Sequence, residues 1–216
     1  MPDTLPLAVL GFLIGMRHAV DPDHVVAVTA ISARHASFAR AAVVGALWGV
    51  GHTLTLLLVG GSIVVFRIAI STQVSTALEL GVAGMLVYLG FSNLATLRRG
   101  SSASSAPSGT RPLVVGAVHG LAGSGAVAVL VVGAVSDSVA AIGYLALFGL
   151  GTVFGMLLVT FMVVMPAQLA VARVGSARRW LTLASGVASV VMGLWLAREL
   201  TSPHVVANPA SIAVPR

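Results

Sequence analysis

Arg17-His18-Ala19-Val20-Asp21-Pro22-Asp23-His24 stands inside a stretch otherwise built from Leu, Val, Ile, Ala and Gly. One arginine, two aspartates and two imidazoles interrupt an apolar run from about residue 5 to residue 31. Pro22 deepens the interruption, because proline donates no backbone hydrogen bond and turns the residue before it away from helical angles. The run therefore reads as one membrane-spanning helix broken at Pro22. Irregular backbone at membrane depth is tolerated where it lines a cavity or is buried in protein. Ionisable groups at that depth mark an ion or substrate path.

The rest of the chain supports a membrane setting. Of 216 residues 57% are hydrophobic and 8% are charged, with a mean hydropathy of +1.03. Soluble domains carry about 25% charged residues, and so few charges cannot cover a soluble surface of this size. All twelve basic residues are Arg. The formal charge of +6 suggests no nucleic-acid partner, since the arginines sit mostly in short gaps between apolar runs and read as topology determinants. Cysteine is absent, which excludes thiolate sites and redox chemistry through sulfur. Met1-Pro2-Asp3-Thr4 lacks the basic region of a signal peptide, so the first apolar segment is expected to stay.

About 20 apolar residues span the hydrocarbon core as helix, and six segments qualify: roughly 5–31, 41–66, 77–96, 113–135, 139–165 and 180–200. The expected fold is all-α, a polytopic bundle of about six transmembrane helices in a lipid bilayer. Arg34, Arg40, Arg98, Arg99, Arg111, Arg173, Arg178 and Arg179 fall in one set of gaps; Arg67, Arg198 and Arg216 fall in the other. That imbalance puts the first set in the cytoplasm and both termini outside. The polar run 100–112 reads as a flexible connector, dividing a first three-helix unit (1–99) from a second (113–200), with a disordered tail at 201–216.

The two units resemble each other. A shift of 101 positions lays His18 on His119, and a shift of 100 lays Trp48-Gly49-Val50-Gly51-His52 on Phe148-Gly149-Leu150-Gly151-Thr152. Three spans per unit force the second into inverted orientation, an arrangement typical of secondary transporters with a site between the repeats.

Chemistry concentrates in few residues. His18, Asp21, Asp23 and His24 offer imidazoles and carboxylates suited to a divalent transition metal, and a kink at Pro22 could fold all four toward one ion. Arg17 is placed to pair with Asp21, four residues on. The alternative is a salt-bridge cluster that only fixes topology. His52 lies near mid-segment at a depth close to that of His18, flanked by glycines that allow close helix approach; it is a ligand or a hydrogen-bonded packing residue. For His119, in Val118-His119-Gly120-Leu121-Ala122-Gly123-Ser124-Gly125, gate, ligand, supporting residue and packing residue all stay open. His35 and His204 read as solvated, and Asn93 as an ordinary polar group near a helix end. Nitrogen and oxygen donors suit Ni²⁺, Co²⁺, Zn²⁺ and Cu²⁺ alike.

Arg17 to His24 resembles the His-X4-Asp-His signature of the nickel/cobalt transporter family, with His18, Asp23 and His24 in the signature positions. Leu47-Trp48-Gly49-Val50-Gly51-His52-Thr53 is similar to that family's second motif. Val118 to Ser124 and Phe148 to Thr152 resemble stretches of the nickel permeases grouped with urease accessory membrane proteins. The resemblance runs from about Gly11 to Gly193. It implies His18, Asp23, His24 and His52 as metal ligands, with Arg17, Asp21 and His119 supporting the path. Two departures stand out: relatives commonly have a span before the signature helix, and often a His-rich loop where this chain has Ser, Ala and Pro.

The expected function is a secondary transporter moving Ni²⁺, or Co²⁺, across the bacterial cytoplasmic membrane, inward, with the metal as substrate rather than cofactor and no enzymatic activity. No phosphate-binding loop of the Walker type is present. Efflux is the alternative within the class. An intramembrane metal-dependent hydrolase and a metal-delivery accessory subunit are the alternatives outside it.

Overall fold

The computed structural model describes residues 4–32, 38–68, 70–98, 109–134, 137–174 and 176–202. The connector around 100–108, most of the tail, and the residues Arg34, His35, Arg99, His204 and Arg216 lie outside them. Among the described residues every regular element is helical: α1 (Thr4–His18), α2 (Pro22–Ser32), α3 (Phe38–Thr55), a π-helical turn (Leu56–Gly60), α4 (Gly61–Phe66), α5 (Thr72–Arg98), α6 (Arg111–Ala134), α7 (Ser138–Arg173) and α8 (Ala177–Leu200). Among the described residues four stretches are long and apolar enough to cross a membrane: Ala39–Phe66, Thr72–Arg98, Ser138–Val171 and Ala177–Leu200.

The break in the first apolar run falls where Pro22 predicts it. Helix α1 stops at His18, the chain turns through Ala19 to Asp21, and Pro22 opens α2. Proline suits a first helical position because its missing N–H would have no intrahelical partner there. The Asp21 carbonyl accepts from the Val25 amide as the new helix begins. Other boundaries differ from the sequence reading. Helix α6 starts at Arg111, so the expected connector 100–112 is shorter by two residues, and Pro112 sits in the first turn as Pro22 does. Helix α7 runs through Pro166 to Arg173 instead of stopping near 165. A proline inside an apolar helix costs one backbone bond, which surrounding protein can offset.

The helices pair as α1 with α7, α3 with α6, α3 with α7, and α5 with α8. Glycines let these backbones touch. A Cβ added at Gly15 would collide with the Phe148 carbonyl, and one added at Gly116 with the Trp48 carbonyl. One at Gly151 would meet the Phe12 carbonyl, and one at Gly51 the Leu113 carbonyl. Gly15 and Gly116, Trp48 and Phe148, Gly51 and Gly151, Phe12 and Leu113 are paired by the same shifts of 101 and 100 found in the sequence. At these four glycines the α1–α7 and α3–α6 seams repeat each other.

Short helix α2 is held separately. Its Ala30 carbonyl lies in the last turn, where no intrahelical amide can reach it. The buried Asn93 side chain of α5 donates to that carbonyl at 2.7 Å and to Ser185 Oγ of α8 at 3.3 Å. Ser189 donates to the Leu86 carbonyl at 2.7 Å, tying α5 to α8 one turn further along. A core of Ala27, Val28, Val44, Trp48, Leu86 and Met156 packs between α2, α3, α5 and α7.

Candidate metal centre

The break between α1 and α2 brings its own residues together before any other helix contributes. His18, the last residue of α1, donates from Nδ1 to Asp21 Oδ2 at 2.8 Å, and Arg17 donates to Asp21 Oδ1 at 3.2 Å. Asp23, in the first turn of α2, accepts from His24 Nδ1 at 3.1 Å. Each carboxylate thereby places the proton of its histidine on Nδ1 and leaves Nε2 with a lone pair. This carboxylate–imidazole arrangement fixes the tautomer and orientation of metal-binding histidines.

Helix α3 brings His52 to the same point. The His52 ring is fully buried and lies 5.4 Å from the His18 ring and 5.3 Å from the His24 ring between centroids. One nitrogen from each of His18, His24 and His52 falls within 4.8 Å of the other two. Nitrogen–metal bonds of about 2.1 Å need only a modest contraction of that triangle. Four of these imidazole nitrogens are buried without a hydrogen-bond partner among the described residues: His18 Nε2, His24 Nε2, His52 Nδ1 and His52 Nε2. Buried polar atoms are almost always paired. Three imidazoles converging with unpaired nitrogens fit a cation ligand and fit poorly a role limited to packing.

Helix α6 adds His119 from the other half of the chain. Its Nε2 donates to Asp23 Oδ2 at 2.8 Å, so Asp23 accepts from two histidines at once. Asp23, His24 and His119 also bring one potential ligand atom each within 4.8 Å of one another. Aromatic rings wall the cluster: Phe148 packs on His18 at 5.3 Å, and Trp48 packs on both His24 and His119 at 5.5 Å. With neutral imidazoles, Arg17 and the two aspartates sum to one negative charge, which a divalent cation overcompensates.

All seven residues singled out in the sequence therefore meet in one cluster. Their parts divide by position: Asp21 and Asp23 face histidines, while the unpaired nitrogens belong to the imidazoles. Glu79 escaped the sequence reading. It sits half-buried in α5, accepts from Ser75 Oγ at 3.3 Å, and is close enough to Asp23 for their charges to interact. A lone carboxylate between Leu78 and Leu80 was open to the same argument that singled out Asp21 and Asp23.

A bundle of long apolar helices around buried imidazoles and carboxylates is a multi-span helical membrane protein with a candidate cation centre. Over 207 residues the chain is 33% identical to the urease accessory protein UreH of Bacillus sp. (strain TB-90), an alignment covering 89% of this chain and 90% of that relative. The chain belongs to the family of that protein. No family model matches the chain, and no solved structure does.

Proposed function

We propose that this protein is a secondary transporter that carries Ni²⁺, with Co²⁺ as the second substrate, across the bacterial cytoplasmic membrane into the cell. The observation that carries this reading is the triangle of His18, His24 and His52, with unpaired nitrogens gathered inside an apolar bundle. His18 and His24 bind the ion through Nε2, and His52 through either ring nitrogen. Asp21 and Asp23 orient the first two rings, and His119 lies on the path. The choice of nickel rests on the signature resemblance and on kinship with a urease accessory protein, urease being a nickel enzyme.

The reciprocal seams of α1 with α7 and α3 with α6 support two inverted three-helix repeats with the site between them, and the distribution of arginines supports both termini lying outside. Such a transporter needs no ATP-binding part. The membrane potential supplies about 2.3 kcal/mol per charge per 100 mV, roughly 4.6 kcal/mol for a divalent ion. That sustains more than about a thousandfold accumulation.

The test is uptake of radiolabelled nickel by cells lacking their own nickel importers and expressing this chain or its His24→Ala variant. Accumulation that requires His24 is the expected result. Accumulation below that of empty cells would reverse the direction, and no change with the protein present in the membrane would overturn transport of this metal.

A further inference from the structure

The cluster holds two ligand groups, and they share one residue. His18, His24 and His52 form the first; Asp23, His24 and His119 form the second. The His24 ring stands between them, 4.5 Å from the His18 ring and 4.3 Å from the His119 ring. We propose that the protein holds its ion at two alternative stations sharing His24, and that transport passes the ion from one to the other through that residue. The proposal rests on the reading of the protein as a metal transporter and adds to it a second site, built on His119.

Three observations carry it. First, His119 is prepared as a ligand. Its Nε2 is engaged by Asp23, and its Nδ1 is buried without a hydrogen-bond partner among the described residues. Only 3% of the residue is exposed. A packing histidine would satisfy both nitrogens, since an unpaired buried polar atom is costly.

Second, the two stations are counterparts in the internal repeat. His119 occupies the position of His18 at a shift of 101. Phe148 packs on His18 at 5.3 Å, and its counterpart Trp48 packs on His119 at 5.5 Å. Each half lends an aromatic ring to the other half's histidine. The equivalence is incomplete where it matters chemically. The counterpart of His52 is Thr152, whose hydroxyl donates to the Phe148 carbonyl at 2.9 Å and to the Gly15 carbonyl at 3.3 Å. Thr152 is thus committed to packing, and the second station is left with His24 and His119, both oriented by Asp23.

Third, the donors differ. The first station offers three neutral imidazoles, the second two imidazoles held by one carboxylate. Because His24 is common, the stations are filled one at a time. His24 keeps its bond while the remaining ligands exchange, so the ion is never stripped of all protein donors. Ions cross membranes quickly only where each site holds them loosely enough to release them, and stepwise exchange through one shared imidazole meets that need.

The test uses the full chain in detergent for binding and in proteoliposomes for flux, with Ni²⁺ as the ion and Co²⁺ as the spectroscopic probe. His119→Ala should still bind Ni²⁺ at the first station while its flux falls by about tenfold or more, the range seen when groups around a metal site are removed. His52→Ala should still bind Co²⁺, with a visible spectrum altered from that of the parent. His119→Asn, which keeps a hydrogen bond to Asp23 but not the imidazole, should lose flux as His119→Ala does. Three results would overturn the second station: parental flux in His119→Ala, flux restored by Asn, or loss of binding in both His119 variants as complete as in His24→Ala. Each of these leaves nickel transport by the parent intact. A parent chain that neither binds nor moves Ni²⁺ or Co²⁺ overturns the transport reading together with the stations.

Discussion

Asp23 Oδ2 and His119 Nε2 meet at 2.8 Å across 96 positions of sequence, and the same carboxylate accepts from His24 at 3.1 Å. One acid therefore orients imidazoles from both halves of the chain. Replacing it by Asn keeps the shape and removes the charge and the second strong acceptor. Asp23→Asn should weaken Ni²⁺ binding by about 10–100-fold, with the protein still folded. Isothermal titration in detergent beside a thermal melt checks both parts.

The seams between halves make a stability prediction. Gly15→Ala and Gly116→Ala each press a methyl into a carbonyl of the facing helix, and overpacking of this kind costs about 1–3 kcal/mol. Their melting temperatures should fall by similar amounts because the two contacts are equivalent. Gly84→Ala is the contrast. Open space surrounds it, and exchanging helical Gly for Ala gains up to about 1 kcal/mol. Equal melts for all three variants would refute the reciprocal seam.

Asn93 is expected to act on the metal without touching it. It holds the Ala30 carbonyl at the end of α2, the helix whose first turn carries Asp23 and His24. Asn93→Ala removes that hydrogen bond inside the bundle, at a cost of about 1–3 kcal/mol. The melt should drop, and Ni²⁺ affinity should fall with it. Unchanged affinity at a lowered melt would confine Asn93 to stability.

Acid should suppress uptake. Neutral imidazole binds metal and protonated imidazole does not, so binding fades as pH falls from neutral into the acid range. The sign follows directly: protons compete with the ion for the same nitrogens. Initial uptake rates at fixed free Ni²⁺ and clamped potential, measured across that range, test it, and a rate that rises in acid would exclude imidazole ligands.

Much of this architecture was legible in the sequence, for local reasons. Pro22 can announce a break because its missing N–H acts within its own turn, and Arg17 finds Asp21 because both lie within one turn of chain. The register between the halves was readable because the glycines and aromatic residues that repeat are those whose size the seams fix. Asp23 facing His119 was not readable, since it depends on how α6 crosses the start of α2. The passage of α7 beyond Pro166 was hidden too: proline forfeits one backbone bond locally, and the neighbouring residues do not say whether the helix continues past it. The π-helical turn at Leu56–Gly60 left no mark either, because apolar residues occupy wide and ordinary turns alike.

The interruption between α1 and α2 also sets two helix poles against each other. Aligned peptide dipoles leave roughly half a negative charge at the carbonyl end of α1 and roughly half a positive charge at the amide end of α2. Asp21 and Asp23 stand at the amide end and more than offset its pole. Arg17, near the carbonyl end, is largely exposed and already bound to Asp21. The carboxylates of Asp21 and Asp23, with the carbonyl pole of α1, thus lean the field at the imidazoles toward cations. In the proposed transporter, selectivity for charge sign is consequently shared between the carbonyl end of α1, which no side-chain substitution deletes, and two carboxylates, whereas selectivity among metals is left to a few histidines that single substitutions can change.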